Sequence, residues 1–97
     1  LGPINSVYSL IINNENELIS GSRNNTIKIW NTRTGECLRT LKRHNGYIWT
    51  LTINNENELI SGSYDRSIKI LNMITGECLR TFKGLTYDVT SLIINDE

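Results

Sequence analysis

The sequence predicts an all-β protein built from repeated four-stranded antiparallel sheets, and three observations predict it. The chain repeats itself. Asn-Asn-Glu-Asn-Glu-Leu-Ile-Ser-Gly-Ser at 13–22 recurs at 54–63, and Thr-Gly-Glu-Cys-Leu-Arg-Thr at 34–40 recurs at 75–81. Both pairs are offset by 41 residues, and laying 7–47 on 48–88 gives 24 identities in 41 positions. A fixed period of this length marks a repeat architecture. The composition agrees: 14 Ile, 10 Thr and 13 Asn with no Ala, in 97 residues, favour strands and turns over helices. Finally, no segment carries helical periodicity, and short apolar runs alternate with Asn- and Gly-containing turns.

Each unit reads as four strands. The first, Val7 to Ile12, has apolar residues at Val7, Leu10 and Ile12, and its copy has them at Ile48, Leu51 and Ile53. A step of three followed by a step of two breaks strict alternation, which a β-bulge near 8–9 and 49–50 explains. The polar Asn-Asn-Glu-Asn stretch is a hairpin loop. Leu18 to Ser22 is the second strand, and a tight turn at Arg23 to Asn25 leads to the third, Thr26 to Asn31. Thr34-Gly35 is the next turn. Cys37 to Lys42 is the fourth and most polar strand, with Arg39 and Lys42 expected to face water. Four antiparallel strands in every 41 residues describe a propeller blade. A further partial copy starts at Val89 and stops at Glu97, so the expected organisation is a blade at 5–45, a blade at 46–86 and the inner strand of another at 87–97. This is an incomplete ring within one chain. Starting at Leu1 rather than Met, the chain is expected to be part of something longer or processed.

Leu-Ile-Ser-Gly-Ser-Tyr-Asp-Arg-Ser-Ile-Lys-Ile-Leu-Asn at 59–72 resembles the core of a WD repeat. So does Leu-Ile-Ser-Gly-Ser-Arg-Asn-Asn-Thr-Ile-Lys-Ile-Trp-Asn at 18–31, and the likeness covers nearly the whole chain. The resemblance implies that the first strand of each blade lines a central channel and the fourth lies on the rim. It also implies a buried fastener in which His, Ser or Thr, Asp and Trp hydrogen-bond in series. By position the second blade offers His44, Ser61 and Asp65, with Leu71 where the Trp belongs. The first offers Ser20 and Trp30, with Asn24 in place of Asp and Pro3 in place of His, and the next would need its His at Leu85. No complete series is present, and partly satisfied buried polar groups cost stability.

His44, Ser61 and Asp65 also spell a Ser-His-Asp catalytic set, which needs an exposed nucleophile and oxyanion donors. The fastener reading places the same residues inside the sheet, so no enzyme is expected. A single His gives no His-based metal cluster, and no motif asks for a cofactor. Cys37 and Cys78 sit at equivalent rim positions, on the order of 15 Å apart and beyond the ~7 Å limit of a disulfide. Reduced thiols lean toward an intracellular, cytoplasmic setting. Glu15, Glu17, Glu56 and Glu58 are expected at solvated loop tips; calcium loops need a Gly that is missing here. Asn24-Asn25-Thr26 forms a glycosylation sequon, as an Asn- and Thr-rich chain does by chance.

Ten basic against ten acidic residues leave no basic excess for nucleic acid or an anionic membrane. No apolar run approaches the ~18 residues of a span. The aromatic residues suggest a protein or peptide partner instead. Tyr8 and Trp49 fall at the expected bulges, Tyr47 leads into the inner strand, and Arg23 and Tyr64 precede the Asn24/Asp65 position. These side chains differ between the repeats while the scaffold around them stays the same. Trp, Tyr and Arg dominate interface hot spots. The resemblance implies that such positions ring the channel mouth and carry partner contacts. The expected function is a non-catalytic scaffold with a protein- or peptide-binding face. The alternative is a purely structural fragment, natural or engineered, that closes a ring by homo-oligomerisation. A blade of four strands and six residues presents roughly 380 Å² per face. A stacked pair leaves about 750 Å² open, more than soluble monomers usually expose. Further blades are therefore expected from copies of the chain or from a parent chain, three or four copies closing a ring of about six or eight blades. Val-Thr-Ser-Leu-Ile-Ile-Asn-Asp-Glu at 89–97 matches 7–15 at seven of nine positions and suggests a swapped inner strand.

Overall fold

A computed structural model describes residues 7–83. The described chain is two sheets of four antiparallel strands, each in sequential order. The first holds β1 (Val7–Ile12), β2 (Glu17–Ser22), β3 (Ile27–Asn31) and β4 (Cys37–Leu41). The second holds β5 (Ile48–Ile53), β6 (Glu58–Ser63), β7 (Ile68–Asn72) and β8 (Cys78–Phe82). Strand limits differ from the sequence expectation by a residue at several ends. The expected bulges are present, between Val7 and Ser9 and between Ile48 and Thr50. A second pair, unforeseen in the sequence, interrupts the β3–β4 and β7–β8 ladders beside Trp30 and Leu71. The expected inner strand at 87–97, Pro3 and Leu85 lie outside the described residues.

The loops are set by Asn side chains that take the place of backbone donors and acceptors. Asn13 Oδ1 accepts the amides of Glu15 and Glu17, and its Nδ2 donates to the Glu17 carboxylate at 2.8 Å. Asn54 repeats this with Glu56 and Glu58. Asn16 and Asn57 supply the left-handed residue of each loop, at φ 60° and 59°. Asn31 and Asn72 accept two amides each in the turns that follow β3 and β7. This corrects two expectations. Glu17 and Glu58 are half-buried and tied to their loops, while Glu15 and Glu56 are exposed as expected. Arg39, expected to face water, turns inward and pairs with Glu17 at 3.1 Å.

One apolar core lies between the sheets. Ile19, Ile27, Ile29 and Leu41 of the first pack against Ile48, Leu51, Leu59, Leu71 and Met73 of the second. Gly21 makes the close approach possible: a Cβ there would stand 2.9 Å from Cβ of Ile48. Gly76, at φ +76°, likewise lies under the Leu41 side chain. Both contacts fix how the β4–β5 connection crosses from one sheet to the next, and that connection carries the candidate site.

Candidate partner-binding face and its fastening

The connection after β4 is held from below by a buried polar series. His44 is 5% exposed and lies between Ser61 Oγ, 2.7 Å from Nε2, and Asp65 Oδ2, 2.9 Å from Nδ1. Burial lowers the imidazole below its ordinary value, and the opposing pull of Asp65 does not overcome it. The neutral ring therefore donates from Nδ1 to the carboxylate and accepts the Ser61 hydroxyl at Nε2. Burial works against the Asp65 carboxylate too. Donation from Ser67 Oγ at 2.6 Å, the Asn45 amide at 3.0 Å and His44 outweighs it and brings its pKa down to about 2.

Ser61 is fully buried, which closes its hydroxyl off from solvent. The arrangement ties the 43–47 connection to the β6–β7 turn. In the first sheet Trp30 Nε1 donates to Ser20 Oγ at 3.0 Å, and among the described residues Asn24 bonds within its own turn, to Ser22 and Thr26. The neutral amide there replaces the carboxylate that reaches across in the second sheet.

Above this fastening the aromatic side chains meet. Gly46 is what lets them: a Cβ on it would stand 2.7 Å from the Asp65 amide and 3.0 Å from Tyr64. The Tyr64 amide donates to the Tyr47 carbonyl at 2.9 Å. Their rings stack with centroids 5.0 Å apart and planes at 20°. Trp49, aimed by the β5 bulge, meets both edge-on, at 6.2 Å from Tyr47 and 5.1 Å from Tyr64. The Arg23 guanidinium comes from the β2–β3 turn of the other sheet and lies 5.2 Å over the Tyr47 ring, a cation–π distance. Four of the five candidate residues are thus one cluster that spans both sheets. Tyr8 stands at the β1 bulge, and its side chain lies outside the described set. Tyr64 is 44% exposed, whereas Tyr47 and Trp49 are half-buried rather than fully exposed.

Sequence reasoning missed Ser67, Gly46 and Asn45. Ser67 could have been found by its position, two residues after Asp65, where the other repeat also has a hydroxyl, Thr26. Gly46 and Asn45 have no counterpart in a described repeat, and only the close approach of loop and turn shows their part. Both thiols are free, Cys37 exposed and Cys78 half-buried.

The family described as "WD domain, G-beta repeat" matches residues 2–31 and 35–72. The chain is similar to F-box/WD repeat-containing protein 7 of Drosophila melanogaster, 50% identical over 34 residues, which is 35% of this chain and 3% of that protein. Among solved structures it resembles U3-55K and the RRP9 WD40 repeats. Each has a TM-score of 0.83 at 21% identity and covers 91% of this chain, which spans 29% of each of them. That likeness speaks to the fold: two propeller blades, with no closed ring among the described residues. With both repeats matched in sequence and both sheets in shape, the chain belongs to the WD-repeat family.

Proposed function

We propose that the chain is a non-catalytic part of a WD-repeat propeller that holds a protein or peptide on the face made by Arg23, Tyr47, Trp49 and Tyr64. Such domains typically serve as protein-interaction scaffolds. The observation that carries the reading is the cluster itself. Three aromatic rings and a guanidinium from two blades pack at one end of the sheets, over a fastening that orders the connection beneath them. Rigid Tyr and Trp side chains lose little freedom on binding, and with Arg they are the residues on which interface energy concentrates. Charge balance supports a protein or peptide over a nucleic acid. An exposed thiol at Cys37 favours a reducing, intracellular setting.

A random peptide library displayed on phage tests the reading. Peptides selected on the chain should lose binding to Tyr64→Ala and Arg23→Ala and keep it with Leu38→Ala, whose side chain lies on the rim strand β4. Selected peptides that bind all three variants equally would overturn the assignment of the face.

A further inference from the structure

The even charge total hides an uneven arrangement. β2, β4, β6 and β8 run toward the end of the sheets that carries the aromatic cluster, and the other strands run away from it. Seven of the ten Lys and Arg residues lie at that end. Arg23 and Arg66 are on the tight turns, Lys28 and Lys69 are the second residues of β3 and β7, and Lys42, Arg43 and Lys83 follow β4 and β8. Among the described residues the carboxylate at this end is Asp65, and both its oxygens are engaged by neutral donors: Ser67, the Asn45 amide and the neutral His44. The described glutamates lie at the opposite end, in the β1–β2 and β5–β6 loops, at the start of β2 and β6, and in the turns after β3 and β7.

A neighbouring blade covers a sheet face and leaves this end open, as the first blade demonstrates. With the second blade packed against it, a cleft of about 670 Å³ remains beside Lys28 and Lys42. In the second blade a cleft of about 350 Å³ lies beside Arg43, Arg66, Lys69 and Lys83. Asn45 lines both, so the two clefts flank the β4–β5 connection, two residues from Tyr47 of the aromatic cluster.

We propose that the partner held on the aromatic cluster is an acidic peptide, with Asp or Glu side chains set in these two clefts. The proposal rests on the reading of the cluster as the binding face and adds the chemistry of what it takes. The cations flank the rings, so one short segment reaches both an aromatic anchor and a positive charge. The opposed charges of the two ends steer such a segment toward this end and away from the glutamates. A nucleic acid would meet the same cations, but it stacks its bases on separate aromatic platforms. Here Tyr47 and Tyr64 stack on each other, and Trp49 meets both edge-on.

Sequencing of phage-displayed random peptides selected on the chain reads the chemistry: Asp and Glu should be enriched over the unselected library. Fluorescence polarisation with one selected peptide then measures the charge dependence. Its affinity should fall steadily from about 0.01 to about 1 M salt, as the screening length shrinks from ~30 to ~3 Å. Lys42 and Lys83 are exposed, one in each cleft, so the Lys42→Glu, Lys83→Glu double variant keeps the fold and should bind on the order of tenfold more weakly. Glu56→Lys, at the opposite end, should leave the affinity unchanged. Selected peptides without acidic enrichment, indifferent to salt and to the lysine variant yet lost with Tyr64→Ala, would overturn this proposal and leave the binding face standing. Acidic peptides that respond to the lysine variant but not to Tyr64→Ala would overturn the face, and with it the pairing of rings and cations. A single-stranded oligonucleotide of equal charge that binds more tightly than the peptide would also refute the proposal, in favour of nucleic acid.

Discussion

Replacing His44 with Ala isolates the fastening beneath the aromatic face. The imidazole is 5% exposed and makes contacts of 2.7 Å to Ser61 and 2.9 Å to Asp65. The neutral bond contributes about 1 kcal/mol net and the bond to the ionised carboxylate about 2 kcal/mol. The vacated ring leaves a cavity in a site that relaxes only partly. Asp65 keeps donors from Asn45 and Ser67, so the carboxylate is not stranded. The sum is a loss of about 3 kcal/mol. Urea unfolding followed by circular dichroism near neutral pH, at a fixed protein concentration, measures it. A cycle with Asp65→Asn and the double variant should give a coupling of about 1–2 kcal/mol. A loss below about 1 kcal/mol, or additive single effects, would mean that the series does not hold the connection and the geometric argument fails.

The same series sets a pH dependence. His44 titrates below its ordinary 6.5 in the fold, so the unfolded chain takes up a proton that the folded chain refuses. Stability is therefore full above 6.5 and falls as pH drops through that value toward the lower folded one. Asp65 adds a second loss below 3.8 as pH falls toward its folded value of about 2, worth about 1 kcal/mol after solvent screening. Thermal unfolding from pH 8 to 3 should show both, and His44→Gln should remove the first. Gly21→Ala drives a Cβ into Ile48 at the blade interface and should cost about 2 kcal/mol in urea unfolding, with no change in peptide affinity once folded. Trp49→Ala should weaken peptide capture by about 2 kcal/mol with the sheet spectrum retained, as read by fluorescence polarisation with a selected peptide. If it unfolds the chain instead, Trp49 belongs to the core.

Much of the fold was legible because the 41-residue period repeats every backbone demand: a loop Asn at 13 and 54, Ser-Gly-Ser before each tight turn, and Thr-Gly after each third strand. The bulges at Tyr8 and Trp49 were legible from a broken alternation of apolar residues. The inward turn of Arg39 was not, because a basic residue on a polar strand reads as solvated, and its partner Glu17 lies 22 positions away. The β3–β4 and β7–β8 bulges leave no trace in apolar spacing, since β4 and β8 carry so few buried residues to mark register. At the site, residue identities pointed to the candidates, but their meeting depends on a loop crossing a turn at Gly46. A single glycine in a sequence does not say what it approaches.

The most direct test of the binding face is a chemical-shift map of the isotopically labelled chain as a selected peptide is titrated in. The largest changes should fall on the Trp49 indole, the rings of Tyr47 and Tyr64, and the Arg23 guanidinium, with little change along β4 and β8. Changes concentrated on β4 and β8, with the aromatic cluster unmoved, would contradict it and place recognition on the rim.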